Sequence, residues 1–189
     1  MISSLKFEEF KFSYQKHRAC NLCRLCALVM GFVLLCSNQL WAKKVYQEPK
    51  DFLQEVVPAA AAKVLPIPAA LKARIIALNG GSYRASRMRY WQKGTRRVWI
   101  LEEIGKTLPI TVAYVIDKGK ISQVKVLIYR ESHGYEVSYP YFTKRFRKMY
   151  LKKGKGLNKR VTNIAGATLS VRAMTKMARV ALLLDQQVE

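Results

Sequence analysis

The sequence predicts an α+β fold: a small antiparallel sheet, a meander over about residues 97–130, with a C-terminal helix packed on it and a peripheral N-terminal arm. Three observations carry that expectation. Strand-like runs follow one another at 97–104, 110–116 and 121–129. The last two are joined by Asp117-Lys118-Gly119-Lys120, a hairpin loop with glycine where a positive φ is useful. Two amphipathic segments, 141–151 and 168–186, come after the strands, and strands followed by helices are the order of an α+β domain.

Taken from the N-terminus, residues 1–42 read as an address. Lys6, Lys11, Lys16, Arg18 and Arg24 precede an apolar stretch from Leu25 to Cys36, and Leu40-Trp41-Ala42 precedes Lys43. A basic region, a short apolar core and a small residue before the mature start make a secretory signal, with cleavage expected after Ala42. The core is shorter than the ~20 residues of a membrane-spanning helix. A retained membrane anchor is the alternative for this segment.

The arm spans 43–83. It is rich in Pro and Ala, with short helices expected at 49–57 and 69–78 and a turn at Asn79-Gly80-Gly81-Ser82. In the strand 121–129, apolar Val124, Leu127 and Ile128 are mixed with Gln123 and Lys125, the pattern of a sheet with one wet face. The segment 141–151 predicts a helix whose inner face carries Phe142, Phe146 and Met149. The segment 168–186 predicts a second helix, with Leu169, Ala173, Met177, Val180 and Leu184 on an apolar stripe and Arg172, Lys176 and Arg179 on a basic one. The domain proper is set at 84–189.

Composition removes several chemistries. The chain has 189 residues, half of them hydrophobic, which supports a packed core. Its four cysteines, Cys20, Cys23, Cys26 and Cys36, all lie in the leader. The body after Ala42 therefore has no disulfide framework, thiolate metal site or cysteine nucleophile. Cys20, Cys23 and Cys26 have the spacing of three iron–sulfur ligands, but Cys26 opens the apolar run and Cys36 lacks the spacing of a fourth. They read as fillers at the edge of the signal core, and Leu35 is too large for a lipoprotein site at Cys36. Only His17 and His133 could contribute imidazole, so no multi-histidine centre is expected. Of 34 basic and 12 acidic residues, 29 and 10 lie after Ala42, giving the body +19. So large an excess points to an anionic partner or ligand.

The chemistry is expected at Thr162-Asn-Ile-Ala-Gly-Ala-Thr-Leu-Ser170. A small-residue turn opening a helix presents backbone N–H groups and the positive end of the helix dipole to a phosphate, and Gly166 lets it come close. Read from its residues alone, the same loop is more simply a plain turn, with Thr168 as N-cap and Gly166 an ordinary turn residue.

Gly166-Ala167-Thr168-Leu169-Ser170 resembles the S-G-A-T-x-[ST] signature of FMN-binding domains, found in the flavin-bearing subunits of sodium-pumping quinone reductases and in related periplasmic carriers. Glu131-Ser-His-Gly-Tyr135 looks like that family's E-x-x-G-[YWL] turn. Arg89-Tyr-Trp91, 99–105 and Pro109-Ile-Thr-Val112 are similar to its small periplasmic members, so the likeness covers roughly 85–184. The resemblance implies FMN as cofactor, carried on Thr168 through a phosphoester that a flavin transferase forms. It implies Gly166, Ala167, Leu169, Ser170, Glu131, Gly134 and Tyr135 as the residues around it. The family's acid six residues before the threonine is Thr162 here, and its serine before Gly-Ala-Thr is Ala165.

Beside these, Tyr135, Tyr139 and Phe142 are candidates to border the flavin ring, or core aromatics. His133 lacks an orienting partner and is not expected to act as a base. The run 152–160 lacks the P-loop pattern and reads as a solvated basic loop. The expected function is an exported, periplasmic or membrane-attached FMN carrier that relays electrons to acidic redox partner proteins. No acid–base pair or nucleophile argues for an enzyme that transforms a substrate. The alternative is a domain that has lost its flavin and binds a polyanion or an anionic membrane surface; a nucleic-acid partner is not expected.

Overall fold

The computed structural model describes residues 43–152 and 156–188. The leader over 1–42, with its cysteines and expected cleavage site, lies outside the described residues, as do residues 153–155 of the basic loop.

In chain order the elements are β1 (Lys44–Val45), α1 (Pro49–Val56), β2 (Ala62–Pro66), α2 (Ala69–Asn79), β3 (Arg87–Lys93) and β4 (Arg96–Ile104). There follow β5 (Pro109–Asp117), β6 (Lys120–Tyr129), α3 (Pro140–Thr143) between two 3-10 turns, β7 (Leu151–Lys152), β8 (Gly156–Leu157) and α4 (Thr168–Asp185). The first six strands form one antiparallel sheet in the order β1-β6-β5-β4-β3-β2. The expected meander is its centre, β4 to β6. Lys118 and Gly119 both have positive φ, 49° and 69°, the backbone of a type I′ turn between β5 and β6.

The sheet gains a strand that hydropathy hides, since Arg87-Met-Arg-Tyr-Trp-Gln-Lys93 carries three cations and a glutamine among its seven residues. The arm supplies α1 and α2 where helices are expected and adds β1 and β2, the two edges of the sheet.

Alternation along β4 and β5 builds two cores. Trp99 and Leu101, with Ile110, Val112, Tyr114 and Ile116, pack under α4 and α2 on one face. Val98, Ala113 and Val115 face the other way and pack, with Leu127 and Ile128, against Phe52 and Val57 of the α1 region. The expected wet face is thus partly roofed: α1 is amphipathic and buries Phe52 to 1% exposure.

Four polar contacts fix α4. At its C-terminal end Asp185, 1% exposed, pairs with Arg97 at 3.3 Å and accepts the Trp99 Nε1–H at 3.1 Å. In its middle the Tyr114 hydroxyl donates to the Met174 carbonyl at 2.7 Å, and the Asn79 side-chain amide donates to the Lys176 carbonyl at 3.2 Å. The last contact ties α2 to α4.

The helix expected over 141–151 is a correction. Helix α3 ends at Thr143, a 3-10 turn covers Lys144–Phe146, Arg147 is extended and Lys148 has φ 64°. Phe142, Phe146 and Met149 are nevertheless all buried, so the periodic apolar pattern is satisfied by a tighter path. The physical reason is capture of the backbone by β6. The Lys148 N–H donates to the Ile121 carbonyl at 2.7 Å and the Ile121 N–H to the Met149 carbonyl at 2.8 Å, which a continued helix would forbid.

Candidate functional site

Two loops meet at the N-terminus of α4. In the first, Gly166 has φ 81°, Ala167 is the half-in cap residue, and Thr168 opens the helix. The Ala167 carbonyl accepts from Val171 at 2.9 Å. The amides of Thr168, Leu169 and Ser170 have no intrahelical acceptor by geometry, and no side chain caps them. The reading of Thr168 as N-cap is therefore corrected: Ala167 occupies that position. The Thr168 hydroxyl, half-buried, accepts instead from the Asn163 side-chain amide at 2.8 Å. A Cβ added at Gly166 would meet nothing within 4 Å, so the turn is open to an approaching group.

The second loop follows β6. Gly134 has φ 84° and is pressed against the first loop. A Cβ there would lie 2.8 Å from the Ser170 hydroxyl, 3.0 Å from the Tyr129 hydroxyl and 3.4 Å from the Ala167 Cα. Both the backbone angle and the close approach demand glycine. The Tyr129 hydroxyl donates to the His133 carbonyl at 2.6 Å. Its single proton being used there, the 2.9 Å contact with Ser170 is one in which Ser170 donates. Burial pushes the Tyr129 phenol up to about 12, against the Ser170 hydrogen bond and helped by the charges of Glu131 and Glu136. It stays a neutral donor.

Glu131 is tied elsewhere. Its Oε1 accepts from the N–H groups of Lys106, Thr107 and Leu108 at 2.5, 2.6 and 2.9 Å, and Oε2 from the Thr107 hydroxyl at 3.1 Å. Burial would raise its carboxyl, but these donors outweigh that and hold it below the usual carboxylate range. Glu131 thus knots the β4–β5 turn to the end of β6.

The other expected residues divide by exposure. Leu169 is 42% exposed, so it leaves the buried stripe of α4, whereas Ser170 and Ala167 are buried. Tyr135 and Tyr139 are each 41% exposed and stand edge to face with centroids 6.0 Å apart. Phe142 is core, beneath Phe146.

On the outer side of Thr168 lies a groove of about 560 Å³, within the range of small-molecule sites. Thr168 and Asn163 line it together with Lys159, Arg160, Arg172, Lys176 and Arg179, and among the described residues no carboxylate does. Sequence reasoning missed Asn163 and the groove. The signals were present: Arg172, Lys176 and Arg179 as a helical stripe, and Lys159-Arg160 in a loop read as solvated.

The arrangement offers the Thr168 hydroxyl, open first-turn amides and five cations around one cavity, the donor set that a phosphate-bearing ligand needs. Among the curated proteins none matches the chain. Residues 105–183 match the family model of the FMN-binding domain, a span that holds both loops and α4 as far as Leu183. That stretch of the chain is similar to FMN-binding domains, and the match indicates FMN as its cofactor.

Proposed function

We propose that the protein is an exported electron carrier whose FMN is esterified to Thr168. The carrying observation is the placement of the Thr168 hydroxyl: first residue of α4, at the mouth of a cation-lined groove, already accepting a hydrogen bond from Asn163. Because Asn163 donates, the hydroxyl's own proton stays free to be lost when a flavin transferase makes the ester. Arg172, Arg160 and Lys159 neutralise the phosphate, and the first-turn amides hold its oxygens. Exposed Tyr135 and Tyr139 are apolar walls for a ring system beside the Gly134 turn. Bound FMN supplies one- and two-electron transfer; the chain's part is to hold it and to set its potential through nearby positive charge.

The basic leader with its short apolar core supports export, and the +19 body supports acidic redox partners. Thr162 in place of the family's acid favours a second reading, in which FMN sits in the same groove without the ester. Intact mass of protein made beside an active flavin transferase tests both. A gain of one FMN that survives denaturation, lost in Thr168→Ala, supports the ester. Flavin that co-purifies but leaves on denaturation supports the second reading. Absence of flavin in either form refutes both.

The Ala variant is a clean control for folding. Thr168 does not cap the helix, so the ~0.5–2 kcal/mol that a lost cap costs does not apply.

A further inference from the structure

Beside α1, whose Pro49 forms one edge of it, the same sheet face carries a depression. There a cleft of about 850 Å³ is lined by Val64, Trp91, Ile100 and Ile128, with Arg87 and Arg89 among its polar residues. We propose that this cleft binds a single-chain amphiphile with an anionic head, such as a fatty acid.

The floor follows from register. Pairing of β2 with β3 sets Val64 opposite Arg89 and Pro66 opposite Arg87. Pairing of β4 with β5 sets Ile100 opposite Ala113 and Glu102 opposite Thr111, and Thr111 faces Ile128 on β6. Side chains of one face therefore run in rows across β2–β3 and across β4–β6; β3 pairs with β4 only from Tyr90 to Lys93, so the two sets part beside Arg87 and Arg89. Four strand spacings of ~4.8 Å make the width from β2 to β6 roughly 19 Å, the reach of an extended chain rather than of a compact ion. Phe52 and Val57 cover Val98, Ala113, Val115 and Leu127 of this face. Val64 is left 55% exposed, with Trp91 and Ile100 only half-buried. Apolar floor of this kind, rimmed by polar groups, marks a contact site.

Charge selects the head. Glu102 is the one carboxylate in the lining and it is engaged, accepting from the Thr111 hydroxyl at 2.6 Å and from Arg130 at 3.4 Å. Arg87 and Arg89 are exposed and make no hydrogen bond or ion pair among the described residues. Two uncompensated guanidiniums over an apolar floor complement an apolar body with one anionic end. The concave shape suits one molecule held in the cleft; a bilayer surface is met by protruding side chains. The inference is independent of the flavin, whose groove lies by α4 on the opposite face.

The test is calorimetric titration of the purified chain with dodecanoate below its micelle concentration. Dodecyl maltoside and dodecyltrimethylammonium serve as neutral and cationic comparators, and phosphatidylglycerol vesicles as the bilayer comparator. Saturable one-to-one binding of dodecanoate is expected, at least tenfold tighter than either comparator detergent. Arg87→Gln and Arg89→Gln should each weaken it by up to about fivefold, the range of exposed ion pairs. Val64→Asp, at an exposed edge position, should abolish binding without moving the melting temperature. Equal affinity for dodecyl maltoside, no saturable binding, or binding to vesicles alone would each overturn the proposal. Flavin content of the same variants reports the other site separately.

Discussion

Gly134→Ala measures how tightly the two loops are held together. The residue sits at φ 84°, where an alanine costs about 1–2 kcal/mol for backbone conformation alone. Its methyl group would also enter at 2.8 Å from the Ser170 hydroxyl, 3.0 Å from the Tyr129 hydroxyl and 3.4 Å from the Ala167 Cα. The first two atoms belong to a hydrogen-bonded pair and the third to backbone, so none withdraws freely, and overpacking adds about 1–3 kcal/mol. Together these give roughly 2–5 kcal/mol. For a chain of this length ~1 kcal/mol moves the melting temperature by about 2–4 °C, so a fall on the order of 5–15 °C is expected. Gly166→Ala is the internal control. Its φ of 81° is nearly the same, yet nothing lies within 4 Å of the new carbon, so only the conformational cost remains. Urea unfolding of both variants without flavin isolates the steric difference. Equal losses for the two would refute the nesting of the Gly134 turn against α4.

The Glu131 knot has a pH signature. Its folded carboxyl is held below the usual range, so its stabilisation is fully present above the unfolded value, near 4.3, and is lost as pH falls through the lower folded one. The stability gap between wild type and Glu131→Gln should therefore be constant at neutral pH and close in acid, measured by urea unfolding from pH 7 downward. Asp185→Ala removes a carboxylate shared by Arg97 and Trp99 in the interior and should cost about 3–5 kcal/mol by the same assay. Thr162→Asp restores the family's acid, and the esterified fraction by intact mass should rise if its absence limits the transferase.

What the sequence made legible was whatever depends on local pattern. Strands β4 to β6 alternate cleanly or read as unbroken apolar runs, and the Lys118-Gly119 turn announces its own type. Helix α4 carries one buried and one basic face over 18 residues. The Gly-Ala-Thr loop and the Glu131–Gly134 turn were recognisable as separate motifs. That they touch was not, because a 2.9 Å contact between Tyr129 and Ser170 joins residues 41 apart in sequence. Long-range backbone competition was equally invisible. The spacing of Phe142, Phe146 and Met149 fits a helix, and only the bonds between 148–149 and Ile121 show why the chain turns instead. Strand β3 was hidden for another reason: the charged ends of Arg87, Arg89 and Lys93 read as loop, while Tyr90 stacks on Trp99 at 4.9 Å. Asn163 carried no sequence signal of its own, since its role depends on where the loop sends its amide.

The span recognised as the FMN-binding domain begins at Gly105, one residue after β4 ends. Its boundary as a sequence pattern is not a boundary of cooperative folding. A fragment cut there would expose the whole length of β5, which pairs with β4 from Arg96 to Ile104, as a bare apolar edge. It would also strip Trp99, Leu101, Leu71 and Ile75 from beneath α4 and leave Asp185 without Arg97 and Trp99. Such a fragment should aggregate rather than bind. The minimal unit for grafting this site onto another chain therefore runs back through β3 and α2, and the helix that presents Thr168 is held in place in part by residues outside the recognised span.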